Sequence, residues 1–233
     1  MKESPRHGPA TLRGRAFRGL ALFLVAMAAL LFLPAWTLAW WRAWLFLIVF
    51  AAAVVAITRY FLAADPALIE RRLKSGPGAE RETSQRIIQT FASLAFAALF
   101  VVSGLDRHFG WSQLAPTEAL IGNVLVLVGL FVVFLVFREN SYTAGTVEIV
   151  RDQTVISTGP YAHVRHPMYA GALVMLVGIP LALGSAWALV PFAALAGLIV
   201  VRLLDEERVL AAGLPGYAEY RVKTPARLIP HVW

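Results

Sequence analysis

Residues 157–171 read STGPYAHVRHPMYAG, and residues 172–201 continue as ALVMLVGIPLALGSAWALVPFAALAGLIVV. The first run holds two histidines, two tyrosines, an arginine and two prolines, and the second is almost wholly apolar. The boundary falls at Pro167, a residue favoured at the first position of a helix because its missing N–H would have no intrahelical partner there. A helix therefore starts at Pro167, and the apolar run is broken by Gly184 and Ser185 into two membrane-type helices joined by a short turn. This pair sets the fold class, an integral membrane protein built of helices.

The rest of the chain agrees. Of its 233 residues 59% are hydrophobic and only 15% charged, with a mean hydropathy of +0.68, whereas soluble domains hold about 45–50% apolar residues. Apolar segments run over residues 17–38, 43–62, 87–105, 119–137, 168–183 and 186–204, and a crossing needs about 20 helical residues. The reading is an all-α protein of about six transmembrane helices, the last two a tight hairpin, forming a single membrane domain divisible at residues 1–118 and 119–233. The N-terminal MKESPRHGPATLRGRAFRG resembles the start of a signal peptide, but the apolar run after it is long and is read as an uncleaved first helix.

Charge gives the topology. Of the 21 Lys and Arg residues only Arg42 and Arg107 fall in the loops on one side of the six-crossing arrangement. Positive residues stay on the cytoplasmic side, so both termini are expected there, in a multi-pass protein of the cell (inner) membrane. The net charge of +7 is thus spent on topology and contact with membrane lipids, and nucleic acid is not an expected partner. Trp36, Trp40, Trp41, Trp44 and Trp111 fit an aromatic belt at the outer interface. The chain has no cysteine, which removes disulfides, thiolate nucleophiles and Cys-bound metals. His163 and His166 are three apart, but with five histidines in the chain no metal site is expected. The alternating stretch TVEIVRDQTVIS (146–157) suits a short hairpin or extended strand.

Two segments carry candidate chemistry. The amides that follow Pro167 point out of the positive end of a helix and can bind a carboxylate or phosphate, with Arg165 and His166 just before them. The plainer alternative is that Arg165, His166 and Tyr169 anchor the helix among headgroups. The second segment is DEER, 205–208, where three adjacent acids sit near the expected end of the sixth helix, the wrong end for the macrodipole. Arg202 and Glu206 are four apart and share a face, either as an intrahelical ion pair or as two grips on a ligand. Beyond them Tyr217, Tyr220 and Arg221 read as a short amphipathic helix on the headgroups or as a wall of the same site.

Taken together, GPYAHVRHPMYAG, the hairpin, RLLDEER and LPGYAEYRVKTPARLIP resemble the isoprenylcysteine carboxyl methyltransferase family of membrane methyltransferases, in its prokaryotic form. The resemblance covers residues 120–231 and is densest over 153–171 and 202–230. It implies S-adenosylmethionine as methyl donor, S-adenosylhomocysteine as product, and a cytoplasmic cofactor pocket completed by the C-terminal segment. Carried over residue by residue, it implies cofactor contacts from Gln153, Thr154, Val155 and Ile156, from Tyr161, from His166, Pro167, Met168 and Tyr169, and from Glu206 or Glu207. It places Arg202 toward the methyl acceptor, a lipophilic molecule entering from the bilayer. A carboxylate acceptor needs no base at neutral pH, which suits a chain with no evident Ser-His-Asp arrangement, whereas an amine or hydroxyl needs one, with His166 or Glu207 as candidates. The alternatives are a phospholipid N-methyltransferase, an NADPH-dependent sterol-type reductase (whose comparable element has Asn and Glu where this chain has Met168 and Ala172) and a membrane scaffold without catalysis.

Overall fold

The computed structural model of the chain describes residues 9–73, 78, 80, 82–143 and 154–233, and these hold helices, turns and coil but no strand. The helices are α1 (Pro9–Ala35), α2 (Trp41–Ala64), the short α3 (Pro66–Leu73), α4 (Thr83–Phe109), α5 (Pro116–Glu139), α6 (Pro167–Leu183), α7 (Leu189–Gly213) and α8 (Tyr217–Lys223), with a 3-10 turn at Gly159–Ala162 before α6. Prolines open α3, α5 and α6, as their lack of an N–H favours. Gly110 and Gly184 close α4 and α6 in the left-handed region, at φ 68° and 75°, where a side chain is costly. Of the proposed strand or hairpin, residues 144–153 lie outside the described residues, and 154–157 run without regular structure.

Each of the six apolar segments is a helix. Four of them, α1, α2, α4 and α5, are long and apolar enough to cross a membrane. Helix α6 has 17 residues, and the 25-residue α7 carries Arg202, Asp205, Glu206 and Glu207 well before its end at Gly213. The acids of DEER therefore sit inside a helix rather than at its C-terminus, and the expected conflict with the macrodipole does not arise.

The last two helices do not pair as the tight hairpin suggests. Their turn is short, but α6 packs against α5 far more extensively than against α7, while α7 packs mainly on α4. The cause is a seam of glycines. A Cβ on Gly129 of α5 would stand 2.5 Å from the carbonyl oxygen of Gly171 on α6, and one on Gly178 of α6 would stand 2.7 Å from that of Gly122 on α5. Where both helices are apolar all round and association brings little hydrophobic gain, close van der Waals approach of this kind is what holds them. Helices α6 and α7 consequently diverge from their shared turn and leave a wedge at the opposite end of the bundle, where α3, α8 and the ends of α2, α5 and α7 gather.

The turn itself is fastened. Asp106 of α4, buried, accepts hydrogen bonds from Ser185 Oγ (2.5 Å), Ser112 Oγ (2.6 Å) and the Ser112 amide (2.7 Å). Arg42 donates to the Leu114 carbonyl at 2.5 Å and lies where a side chain on Gly184 would be. Trp36, Trp41, Trp44 and Trp111 are exposed at this end, but Trp40 is only 4% exposed and meets Phe32 edge-on. It belongs to the core with Leu31, Phe46, Leu99 and Phe100, not to the belt.

The seam makes a clear demand. Gly129→Leu should destabilise the protein by about 1–3 kcal/mol or more, read as a fall in thermal midpoint in detergent. Gly197→Leu, at a position with nothing within 4 Å, should leave the midpoint unchanged.

Candidate functional site

The site is assembled at the wide end of the wedge, beginning with the turn before α6. Thr158 hydrogen-bonds Glu139 at the end of α5. Asn140 Nδ2 donates to Tyr161 Oη at 3.0 Å, and Tyr220 Oη of α8 donates to the Tyr161 carbonyl at 2.8 Å. Leu214, Tyr217 and Tyr220 are buried together against Val155, Tyr161 and Leu210. Helix α8 is thus packed into the protein and does not lie on headgroups. Burial raises the hydroxyl of Tyr161 above its ordinary pKa, and for Tyr220 the rise is to about 12.

From this turn the chain runs into a main-chain pairing. The amide of Arg165 donates to the Ala226 carbonyl (2.9 Å) and that of His166 to the Arg227 carbonyl (3.0 Å). The Arg165 guanidinium reinforces the pairing through Nη1, which donates to the carbonyls of Thr224 (2.8 Å) and Pro225 (2.7 Å). Arg165 is 6% exposed, so the headgroup anchor it resembled in the sequence is a buried strut holding the C-terminal segment against α6.

Glu207 closes this half of the site. Its Oε1 accepts from Arg165 Nε at 2.8 Å and from His166 Nε2 at 3.2 Å, and its Oε2 accepts from Arg227 Nε at 3.0 Å. An ionised carboxylate only accepts, so Nε2 of His166 carries its proton here. Burial alone would push the Glu207 carboxyl up, but the hydrogen bonds from His166, Arg165 and Arg227 outweigh it and hold the group at about 2.

Glu206, one residue earlier, faces a different set of groups because adjacent helical residues point about 100° apart. Its Oε2 accepts from Tyr169 Oη at 2.6 Å. The same hydroxyl accepts from Arg202 Nε at 3.2 Å. Arg202 and Glu206 are therefore linked through Tyr169 of α6 and are not a direct intrahelical pair. Arg202 also donates through Nη1 to Gln89 Oε1 (2.9 Å) and through Nη2 to Glu80 Oε1 (2.6 Å). Next to this relay, Arg72 of α3 lies 3.9 Å from Met168 Sδ and 4.9 Å from the centre of the Phe137 ring.

The residues singled out in the sequence divide as follows. Tyr161, His166, Tyr169, Arg202, Glu206 and Glu207 converge, with Pro167 buried and Met168 half-buried at the start of α6. Val155 joins the wall behind Tyr161 and Ile156 is half-buried, but Thr154 is exposed. Gln153 lies outside the described residues. Glu80, Gln89 and Arg72 come from the first half of the chain, where nothing in the sequence marked them. Tyr217 offers one further group. Its hydroxyl is buried with no hydrogen-bond partner among the described residues, and burial, followed by the charge of Glu207, raises its pKa above the ordinary value.

The model of the phospholipid methyltransferase family matches residues 117–213, the stretch from α5 through α7. The cobalt-zinc-cadmium resistance protein CzcN of Cupriavidus metallidurans is 31% identical over 169 residues, which are 70% of this chain and 70% of that protein.

Removing the shared carboxylate should loosen the C-terminal segment. Glu207→Gln leaves two guanidiniums facing a neutral amide, and breaking a buried ion pair costs about 3 kcal/mol; the thermal midpoint should fall accordingly. Because the Glu207 carboxyl sits below its ordinary 4.5 in the folded protein, it stabilises the fold above that pH, and the contribution drains away as pH falls toward about 2. An acid titration of stability should show this loss in the parent protein and lack it in Glu207→Gln.

Proposed function

The chain belongs to the phospholipid methyltransferase family, a family of membrane methyltransferases, and from that membership we propose that it moves a methyl group from S-adenosylmethionine to a lipophilic acceptor reached from the bilayer, the methylated group being a carboxylate. In this reading the six apolar helices all cross the membrane, and both termini and the site lie on the cytoplasmic side, as the placement of all Lys and Arg residues except Arg42 and Arg107 supports.

The observation that carries the reading is the relay Arg202–Tyr169–Glu206 across the mouth of the α6–α7 wedge. It sets a carboxylate and a guanidinium on opposite sides of one phenol. Such polar groups at the edge of a membrane are costly unless they serve a partner. The residues suit the cofactor: Glu206, held by Tyr169 and paired with no arginine among the described residues, would take ribose hydroxyls or the amino group. The orphaned Tyr217 hydroxyl supplies a buried polar atom that a ligand would satisfy. The sulfonium donor brings an already activated methyl group, so the protein's work is alignment and exclusion of water. Arg202 orients the acceptor. It holds a carboxylate, that of Glu80, at 2.6 Å, and a carboxylate acceptor would take the place of Glu80 on the guanidinium. Such an acceptor is ionised at neutral pH and needs no base.

A phospholipid amine is the second reading, favoured by the family match over residues 117–213. A protonated amine must lose its proton before transfer. Glu206 is then the candidate base, because Glu207 is saturated by its three donors.

Calorimetry of the purified protein with S-adenosylhomocysteine should give micromolar binding, and Glu206→Ala should abolish it in protein that still unfolds cooperatively, even where the lost bond to Tyr169 lowers the thermal midpoint. Binding of NADPH in place of S-adenosylhomocysteine, or of neither, overturns the assignment. Methyl-labelled S-adenosylmethionine given with membrane lipid extract should yield a lipophilic product whose label is released as methanol by alkali. An alkali-stable product selects the amine. Arg202→Gln should cut transfer at least tenfold while cofactor binding persists.

A further inference from the structure

On the same end of the bundle, but on other elements, α1 and α2 enclose an open groove of about 440 Å³ lined by Leu12, Arg13, Phe17, Arg59, Leu62 and Pro66, among others. Its chemistry is two-sided. Leu12, Phe17, Leu62 and Pro66 make an apolar wall, and Arg13 and Arg59 are exposed side chains without a hydrogen bond or ion pair to any described residue. Among the described residues no acid lines the groove. Asp65, the acid that adjoins Pro66 in the chain, is engaged elsewhere, accepting from the Leu68 amide at 3.0 Å and from Ser141 Oγ at 2.6 Å. Both arginines stand within one helical turn of the end of an apolar run. Arg13 lies one helical turn before Phe17, where the first apolar run begins, and Arg59 lies one turn before Leu62, where the second ends.

We propose that this groove is a binding site for an anionic phospholipid, with Arg13 and Arg59 gripping the phosphate and one acyl chain lying along Phe17 and Leu62. Guanidinium is the side chain best matched to phosphate, because its planar fork donates two parallel hydrogen bonds and it gives up its hydration more readily than an ammonium. Basic pockets between membrane helices on the cytoplasmic side recruit anionic headgroups. An apolar wall beside the cations selects a lipid over a soluble anion, because it adds the burial of methylene groups to the ionic contact. The groove shares no residue with the Arg202–Tyr169–Glu206 relay, so the site is separate from the one proposed for methyl transfer, whatever the acceptor there.

The test uses the full chain in a non-ionic detergent, titrated with phosphatidylglycerol or with phosphatidylcholine of the same acyl chains and read by native mass spectrometry. Phosphatidylglycerol should be retained in preference to phosphatidylcholine as a single tight adduct, and millimolar inorganic phosphate should not displace it. The double variant Arg13→Gln/Arg59→Gln should weaken retention about tenfold or more, with an unchanged thermal midpoint. The control Arg15→Gln/Arg18→Gln, which removes equal charge from neighbouring positions outside the groove, should change it less than about twofold. Equal retention of the two lipids, equal effects of the two double variants, or displacement by phosphate would each overturn the proposal, the last by assigning a soluble-anion site.

Discussion

One buried carboxylate holds the wide end of this protein together. Glu207 receives two guanidiniums and an imidazole, from Arg165, Arg227 and His166, and these come from the start of α6 and from the C-terminal segment, while Glu207 itself belongs to α7. Burying a lone carboxylate costs several kcal/mol, and Coulomb attraction repays this only when geometry is good and the remaining polar atoms are satisfied. Both oxygens of Glu207 are occupied, and Arg165 spends another of its donors on the carbonyls of Thr224 and Pro225. The three segments therefore take up their positions together, and Tyr161 and Tyr169 are placed as a result.

The membrane part explains why such a clamp is required. Glycines draw α6 onto α5, α7 leans on α4, and the turn between them is fastened through Asp106 at the far end. Two helices fixed at one end and attached to different neighbours must separate at the other. Tyr169 on α6 and the Arg202–Glu206 face of α7 meet across that gap, and Glu207 with the C-terminal segment keeps the gap from widening. The spacing is set in the apolar interior, and the polar residues at the mouth inherit it.

Much of this was legible in the sequence. Bilayer thickness fixes helix length, so the apolar segments could be counted, and Pro167 opens α6 where a proline should. What stayed hidden is tertiary. Glu206 and Glu207 are neighbours in the chain and could not be told apart until the turn of the helix showed one facing Tyr169 and the other facing three donors. Trp40 sits among tryptophans that do face outward, and only its burial among the core residues around Phe46 sets it apart. Glu80 and Gln89 reach Arg202 because α4 packs on α7, a pairing no local pattern announces. Arg165 read as a surface anchor because a basic residue beside an apolar helix usually is one.

The pairing of Arg165 and His166 with residues 226 and 227 has a bearing on how such chains are compared. It runs through main-chain amides and carbonyls, and the Arg165 guanidinium likewise reaches only carbonyls in Thr224 and Pro225. Every residue has a carbonyl, so these bonds ask nothing of the side chains at 224, 225 and 226, whereas Arg227 also gives its guanidinium to Glu207. The family match ends at residue 213, short of the strap. The stretch that the family model matches thus ends before the segment that completes the site in space.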